Sequence, residues 1–150
     1  MKSEWSGIEW MINGSKLIAE NPERAGRWIK HGLKEWPNEG SAWFNLGLAL
    51  HLNRQINSSI RAYEQGLKCP NPPKVDIYNN LAQDLLLSGR YEKGWIHYEE
   101  RLKKMKESFN IYEKLYGPAW EGFNDKRKLK HLIVVAEQGY GDTIQYYWNF

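Results

Sequence analysis

The stretch Gly40–Pro73, GSAWFNLGLALHLNRQINSSIRAYEQGLKCPNPP, decides the fold. Within it Trp43, Leu46, Gly47 and Leu50 fall at i, i+3, i+4 and i+7, which is one face of an α-helix. The pattern breaks at Asn53–Asn57, and a second helical face follows with Ser59, Tyr63, Gly66 and Leu67. Two helices joined by a short polar break predict an αα-hairpin. Such a pair still has apolar surface to cover, so the rest of the chain should repeat it.

It does. Thirty-five residues on, Tyr78, Leu81, Ala82 and Leu85 reproduce the first face, and Gly94, Tyr98, Arg101 and Leu102 the second. Between them Ser88-Gly89-Arg90-Tyr91 reads as the turn. Thirty-four residues back, Ala25, Ile29, Gly32 and Leu33 align with Ser59, Tyr63, Gly66 and Leu67, and Pro37 closes the unit. At that spacing the first helix is degenerate: Glu9 and Asn13 stand where an aromatic and a glycine are expected, as suits a terminal unit. Ala25, Ser59 and Gly94 share one position, where a small side chain lets the second helix approach the first. Asn21-Pro22-Glu23 predicts an N-cap, a proline at the first helical position and an acid in the first turn. Ser41 and Asp76 are the expected N-caps of the next two first helices.

The pattern W-x2-L-G-x2-aliphatic followed by small-x3-aromatic resembles the tetratricopeptide (TPR) repeat, whose period is 34 residues. The resemblance implies a mostly α chain: a TPR αα-hairpin solenoid, a right-handed superhelix, over residues 1–108. Its three repeats would run over about 6–39, 40–73 and 75–108. In such a stack the first helix of each repeat lines the concave side, and a protein or peptide is the expected occupant of that groove. The implied lining is Phe44, Asn45, Leu48 and His51 in the second repeat, and Asn79, Asn80, Gln83 and Leu86 in the third. Asn45 and Asn80 share one inner position, resembling the asparagine ladder of O-linked N-acetylglucosamine transferases, with Met11 in that place in the first repeat. An amide there can donate to and accept from a peptide backbone at once. Lys and Arg are absent from these positions, so a clamp for acidic C-terminal tails is not expected.

Past Ser108 the character changes. Residues 109–128 read as a linker, with the loop signal Pro118-Ala119-Trp120-Glu121-Gly122. Residues 129–150 read as strand, glycine turn and helix start: Leu129–Ala136 (LKHLIVVA), then Glu137-Gln138-Gly139-Tyr140-Gly141-Asp142-Thr143, then Ile144–Phe150. That order opens a Rossmann-type α/β domain. Ile144 stands where the third glycine of a dinucleotide fingerprint belongs, and no P-loop lysine follows. P-x-W-x-G, a strand and E-Q-G-Y-G-D-T-I-Q-Y together resemble the junction in bacterial TPR proteins fused to a heptosyltransferase-like glycosyltransferase domain. The resemblance spans about residues 85–150 and implies a bacterial or phage origin. It also implies that Gly139, Gly141 and Thr143 form an acceptor loop, with Asp142 as the acceptor-side base. On local chemistry alone, Asp142 or Thr143 simply caps the helix, the reading favoured for this chain.

Two facing Rossmann-like domains need roughly 300 residues beyond the repeats. The expectation is therefore an interaction scaffold, the N-terminal part or a relic of a TPR–glycosyltransferase, without activity alone. The alternative is a subunit of a metal-independent glycosyltransferase acting on a protein or glycan acceptor. A lone strand at 131–136 also offers an edge for pairing with a second copy.

With 41% hydrophobic and 26% charged residues the chain is of the foldable, soluble kind. A net charge of +3 is too small to point to nucleic acid, and the runs Arg101–Lys106 and Lys126–Lys130 read as solvated faces. The single cysteine, Cys69, cannot form an internal disulfide, which suits the cytoplasm. The N-terminus has no apolar signal region, and no aliphatic run is long enough for a membrane. The four histidines (His31, His51, His97, His131) have no ligand spacing, so neither metal nor cofactor is expected. No Ser-His-Asp grouping suggests itself. Eight Trp and nine Tyr require many-sided burial, which stacked helices supply.

Overall fold

The computed structural model describes residues 5–100 together with Lys114. The expectations for Arg101 and Leu102, the linker, the strand at 129–136 and the loop of Gly139, Gly141, Asp142 and Thr143 lie outside the described residues. By its contacts the chain divides into two units, Met1–Lys106 and Glu107–Phe150, and the description below concerns the first.

Among the described residues there are six α-helices and no strand: α1 Gly7–Lys16, α2 Pro22–Glu35, α3 Gly40–Leu52, α4 Ile56–Lys68, α5 Lys74–Leu87 and α6 Tyr91–Tyr98. Each packs on its neighbours in the chain, most extensively within the pairs α1–α2, α3–α4 and α5–α6. The first helices also touch one another, α1 with α3 and α3 with α5, whereas α2, α4 and α6 make no such contact. The described residues are thus mostly helical, with α1, α3 and α5 adjacent in one layer.

The core belongs to no single pair. One cluster joins Met11, Ile29, Leu33, Ala42, Leu46, Leu50 and Ala62 from α1, α2, α3 and α4. A second joins Ile60, Tyr63, Ile77, Leu81 and Leu85 from α4 and α5, with Phe44 of α3 packed against it. Each buried large side chain contributes about 1.5–3 kcal/mol, so successive pairs stabilise one another.

The helices pack at glycines. A Cβ added at Gly47 would sit 2.5 Å from Cδ1 and 2.7 Å from Cζ of Tyr63. One added at Gly14 would sit 2.7 Å from Cγ1 of Ile29. Gly32 faces the Gly7 carbonyl as Gly66 faces that of Gly40.

These pairings correct the register expected for the first helix. Trp10 and Gly14, not Glu9 and Asn13, are the counterparts of Trp43 and Gly47. Met11 accordingly matches Phe44 rather than Asn45, and it is buried. The cause is spacing: α1 starts 33 residues before α3, while α2 starts 34 before α4. A one-residue slip rotates a helix face by about 100°, so a shift that aligned α2 misread α1.

Local chemistry sets the helix ends. Asn21 caps α2 as expected, its side chain accepting from the Arg24 N–H at 2.9 Å with Pro22 at the first helical position. Ser6 and Glu9 form a reciprocal capping box on α1. The caps expected at Ser41 and Asp76 are not there. Glu39 caps α3, accepting from the Ser41 N–H, and α5 begins after Pro73 with Asp76 inside its first turn. There the negative charge complements the helix dipole. Gly89 takes a left-handed φ of +79° and closes α5, and thirty-five residues earlier Arg54 is held at φ 57° in the same turn. The Arg90 and Gln55 N–H groups then reach the Leu85 and Leu50 carbonyls at 2.8 and 2.9 Å.

Candidate functional site

The α1–α3–α5 layer carries the residues expected to line a groove. Buried positions on α3 (Ala42, Leu46, Gly47, Ala49, Leu50) recur thirty-five residues later on α5 as Ile77, Leu81, Ala82, Asp84 and Leu85. Positions 41, 45, 48 and 52, and likewise 76, 80, 83 and 87, therefore face away from the core at helical spacing. By the corrected register, positions 8, 12 and 15 continue this stripe onto α1, and position 19 falls in the turn after it.

Gln83 is exposed, and Leu48, Asn79 and Leu86 are half-buried. Phe44 leans into the core, its ring centroid 6.2 Å from that of Tyr63. Asn45 and Asn80 occupy matching positions but are held differently. The Asn45 side chain donates to Ser15 Oγ at 2.8 Å, tying α3 to α1. Asn80 donates to the Asp76 carbonyl of its own helix, also at 2.8 Å. One N–H of each amide is thus committed inside the protein, and the two do not form equivalent rungs.

His51 also turns inward, its Nδ1 lying 2.5 Å from Oδ1 of Asp84. Asp84 is fully buried, and its other oxygen accepts a short hydrogen bond from Ser59 Oγ. The Ser59 hydroxyl also lies 2.8 Å from the Ile56 carbonyl. A Ser-His-Asp grouping therefore does exist, drawn from α4, α3 and α5, contrary to the sequence expectation. Its geometry is not that of a nucleophile. The carboxylate sits in the middle, the serine bonds to it rather than to the imidazole, and Ser59 is inaccessible. What it does is join three helices through one buried, hydrogen-bonded carboxyl group. The one signal in the sequence was an acid at position 84, inside the apolar stripe of Leu81, Ala82 and Leu85.

Beside this group the Tyr63 hydroxyl is buried without a hydrogen-bond partner. Burial, reinforced by the Asp84 carboxylate, pushes its ionisation far above the usual phenol range, so it stays neutral. Cys69 is half-buried, and its thiol is pushed up by burial and then by the Glu39 carboxylate. Three tryptophans, Trp5, Trp10 and Trp28, pack edge to face with centroids 5.0–5.4 Å apart, and Arg24 lies over the Trp28 ring at 4.5 Å. This accounts for part of the high aromatic content as packing across the α1–α2 pair.

Among the described residues no group of three His, Cys, Asp or Glu could hold a metal ion. No described helix is long and apolar enough to cross a membrane. No protein-family model matches the chain, and no curated protein matches it in sequence.

Proposed function

We propose that the chain is a protein-interaction scaffold of the TPR type, taking up an extended peptide on its α1–α3–α5 face. One observation carries this reading. The buried pattern of α3 recurs position for position on α5, in the layer where the first helices touch, so the residues left over form one outward stripe crossing three helices. A stack of this kind presents an extended surface, which is what repeat proteins use for binding. In this reading the three repeats form a right-handed superhelix with that layer on the concave side. The internal bonds of Asn45, Asn80 and His51 hold the groove's shape, and Leu48, Asn79 and Gln83 meet the partner. By the resemblance at Ala136–Tyr146, the scaffold is the front or a relic of a glycosyltransferase fusion. Residues 109–128 would then link it to the start of a Rossmann-like domain at 129–150.

Selection of displayed random peptides on the full chain tests the binding reading. The expected result is capture of peptides that protect α3 and α5 amides from exchange, with binding lost on Leu48→Arg and kept on Arg61→Ala on α4. Protection confined to α2 and α4 would refute it. The second reading, a transferase subunit, rests on the G-x-G-D resemblance alone. Nucleotide-sugar turnover abolished by Asp142→Asn would carry it, and no turnover with any partner would end it.

A further inference from the structure

We infer that the segment bound on this face is uncharged and rich in aliphatic side chains, rather than an acidic or basic tail. The inference rests on the scaffold reading and adds the chemistry of the partner. The outward stripe of the first layer is set apart by charge: Lys16 of α1 and Lys74 of α5 are exposed but fall outside its positions. Arg24, Arg27, Lys30 and Lys34 of α2 and Arg61 and Lys68 of α4 are exposed. The outward positions of the first layer, 8, 12 and 15, then 41, 45, 48 and 52, then 76, 80, 83 and 87, contain no Lys or Arg and one acid, Asp76. That acid stands in the first turn of α5, against the positive end of the helix.

In place of charge the stripe holds exposed aliphatic groups. Ile8 and Ile12 on α1 are 45% and 49% exposed, and Leu52 and Leu87, at matching positions ending α3 and α5, are 52% and 67% exposed. Between them lie the amides Asn45 and Asn80, half-buried, and Gln83, exposed. Aliphatic side chains of a partner gain by covering the isoleucines and leucines, about 25 cal/mol for each Å² removed from water. The amides supply donors and acceptors for its backbone. A carboxylate brought onto the stripe would lose water and find no cation there, and an ammonium would find only Asp76, which already faces the positive end of α5, so charge costs rather than stabilises. Electrostatic fit therefore favours a neutral occupant. Amides beside aliphatic positions on α3 and α5 favour an extended one, as in backbone-bonded peptide recognition.

The test uses the full chain and three capped, fluorescein-labelled peptides of about nine residues, a length of roughly 30 Å that spans three helices packed about 9 Å apart. One alternates Leu with Ser, and the others replace half the Leu residues by Asp or by Lys. Fluorescence polarisation is read at low and high salt. The neutral peptide should bind at least about tenfold more tightly than either charged one, with no loss at high salt. Leu52→Lys and Leu87→Lys, at exposed positions where folding is checked by circular dichroism, should each weaken it about tenfold. If the Asp or Lys peptide binds as well as the neutral one and Leu52→Lys alters that binding, the groove stands and the inferred chemistry is overturned. If no peptide binds, both fall. If the chain alone forms a dimer that Leu52→Lys dissolves, the occupant is a second copy, which overturns the inference too.

Discussion

Replacing Gly47 by alanine should destabilise the protein although it improves the helix. A Cβ there would lie 2.5 Å from Cδ1 and 2.7 Å from Cζ of Tyr63, with Cε1 closer still. Carbon atoms in ordinary contact are about 3.5–4.0 Å apart, so ring or helix must retreat by around 1 Å or more. The ring has nowhere to go, since Tyr63 is fully buried among Ile60, Ile77, Leu81 and Leu85. Overpacking of this kind costs typically about 1–3 kcal/mol, or more where the neighbours are rigid. Against it stands a helix-propensity gain of about 1 kcal/mol for Gly→Ala. A net loss of about 2 kcal/mol is expected, or a Tm lower by about 10 °C in a unit of this size. Circular dichroism at 222 nm on heating measures it. A double-mutant cycle with Tyr63→Ile, which copies the Ile29 that faces Gly14, should recover about 1–2 kcal/mol. Gly14→Ala should be costly for the same reason, whereas Asn13→Ala should stay within about 0.5 kcal/mol. A Gly47→Ala protein as stable as the parent would refute the close approach. Equal costs at Gly14 and Asn13 would refute the register of α1.

Four further outcomes follow from the same contacts. Tyr63→Phe removes a buried hydroxyl without a partner and should be neutral or stabilising by about 1 kcal/mol in chemical denaturation. Asp84→Ala removes the carboxyl that joins α3, α4 and α5, leaving His51 without its partner and Ser59 with only the Ile56 carbonyl, and should cost about 3 kcal/mol, with Asp84→Asn losing clearly less; equal losses would show that the bonds do not matter. Arg54→Gly relieves a left-handed residue and should raise stability by about 0.5–1 kcal/mol, with Gly89→Ala doing the reverse. The Ser6 backbone N–H and hydroxyl hold the Glu9 carboxyl below its ordinary range, so the native state resists protonating it. That stabilisation of the α1 N-terminus is present above the ordinary carboxylate range and is lost as pH falls through the lowered value. Amide exchange at Ser6, whose N–H donates to the Glu9 carboxylate, should speed up in that acid window, and Glu9→Gln should remove the pH dependence.

Reading the sequence located the helices and several of their ends because those signals are local. Apolar residues at i, i+3, i+4 and i+7 state a helical face whatever lies beyond it. Asn21-Pro22 states a helix start, and Gly89 states a turn that needs positive φ. Where two local signals competed, the sequence was ambiguous by a residue or two. Ser41 makes a good cap by composition, but Glu39 reaches the free N–H first. The glycine that matters on α1 was visible as Gly14 once the spacing was allowed to differ from that of α2.

The candidate site was legible only as a set of positions. That Asn45, His51, Asn80 and Gln83 lie on the first-helix layer follows from periodicity. What their side chains do does not, because Asn45 meets Ser15 thirty residues away and His51 meets Asp84 thirty-three residues away. The buried Asp84 was a local anomaly, an acid on an apolar face, whose partners no spacing rule could name. By itself the sequence determined a mostly helical chain, its repeating faces and the absence of cations from one of them, since these depend on the geometry of a single helix. Only the tertiary structure decided which face meets which neighbour and which polar groups are already satisfied. Those outcomes depend on the relative rotation of packed helices, where a one-residue change in a turn moves a side chain by about 100°.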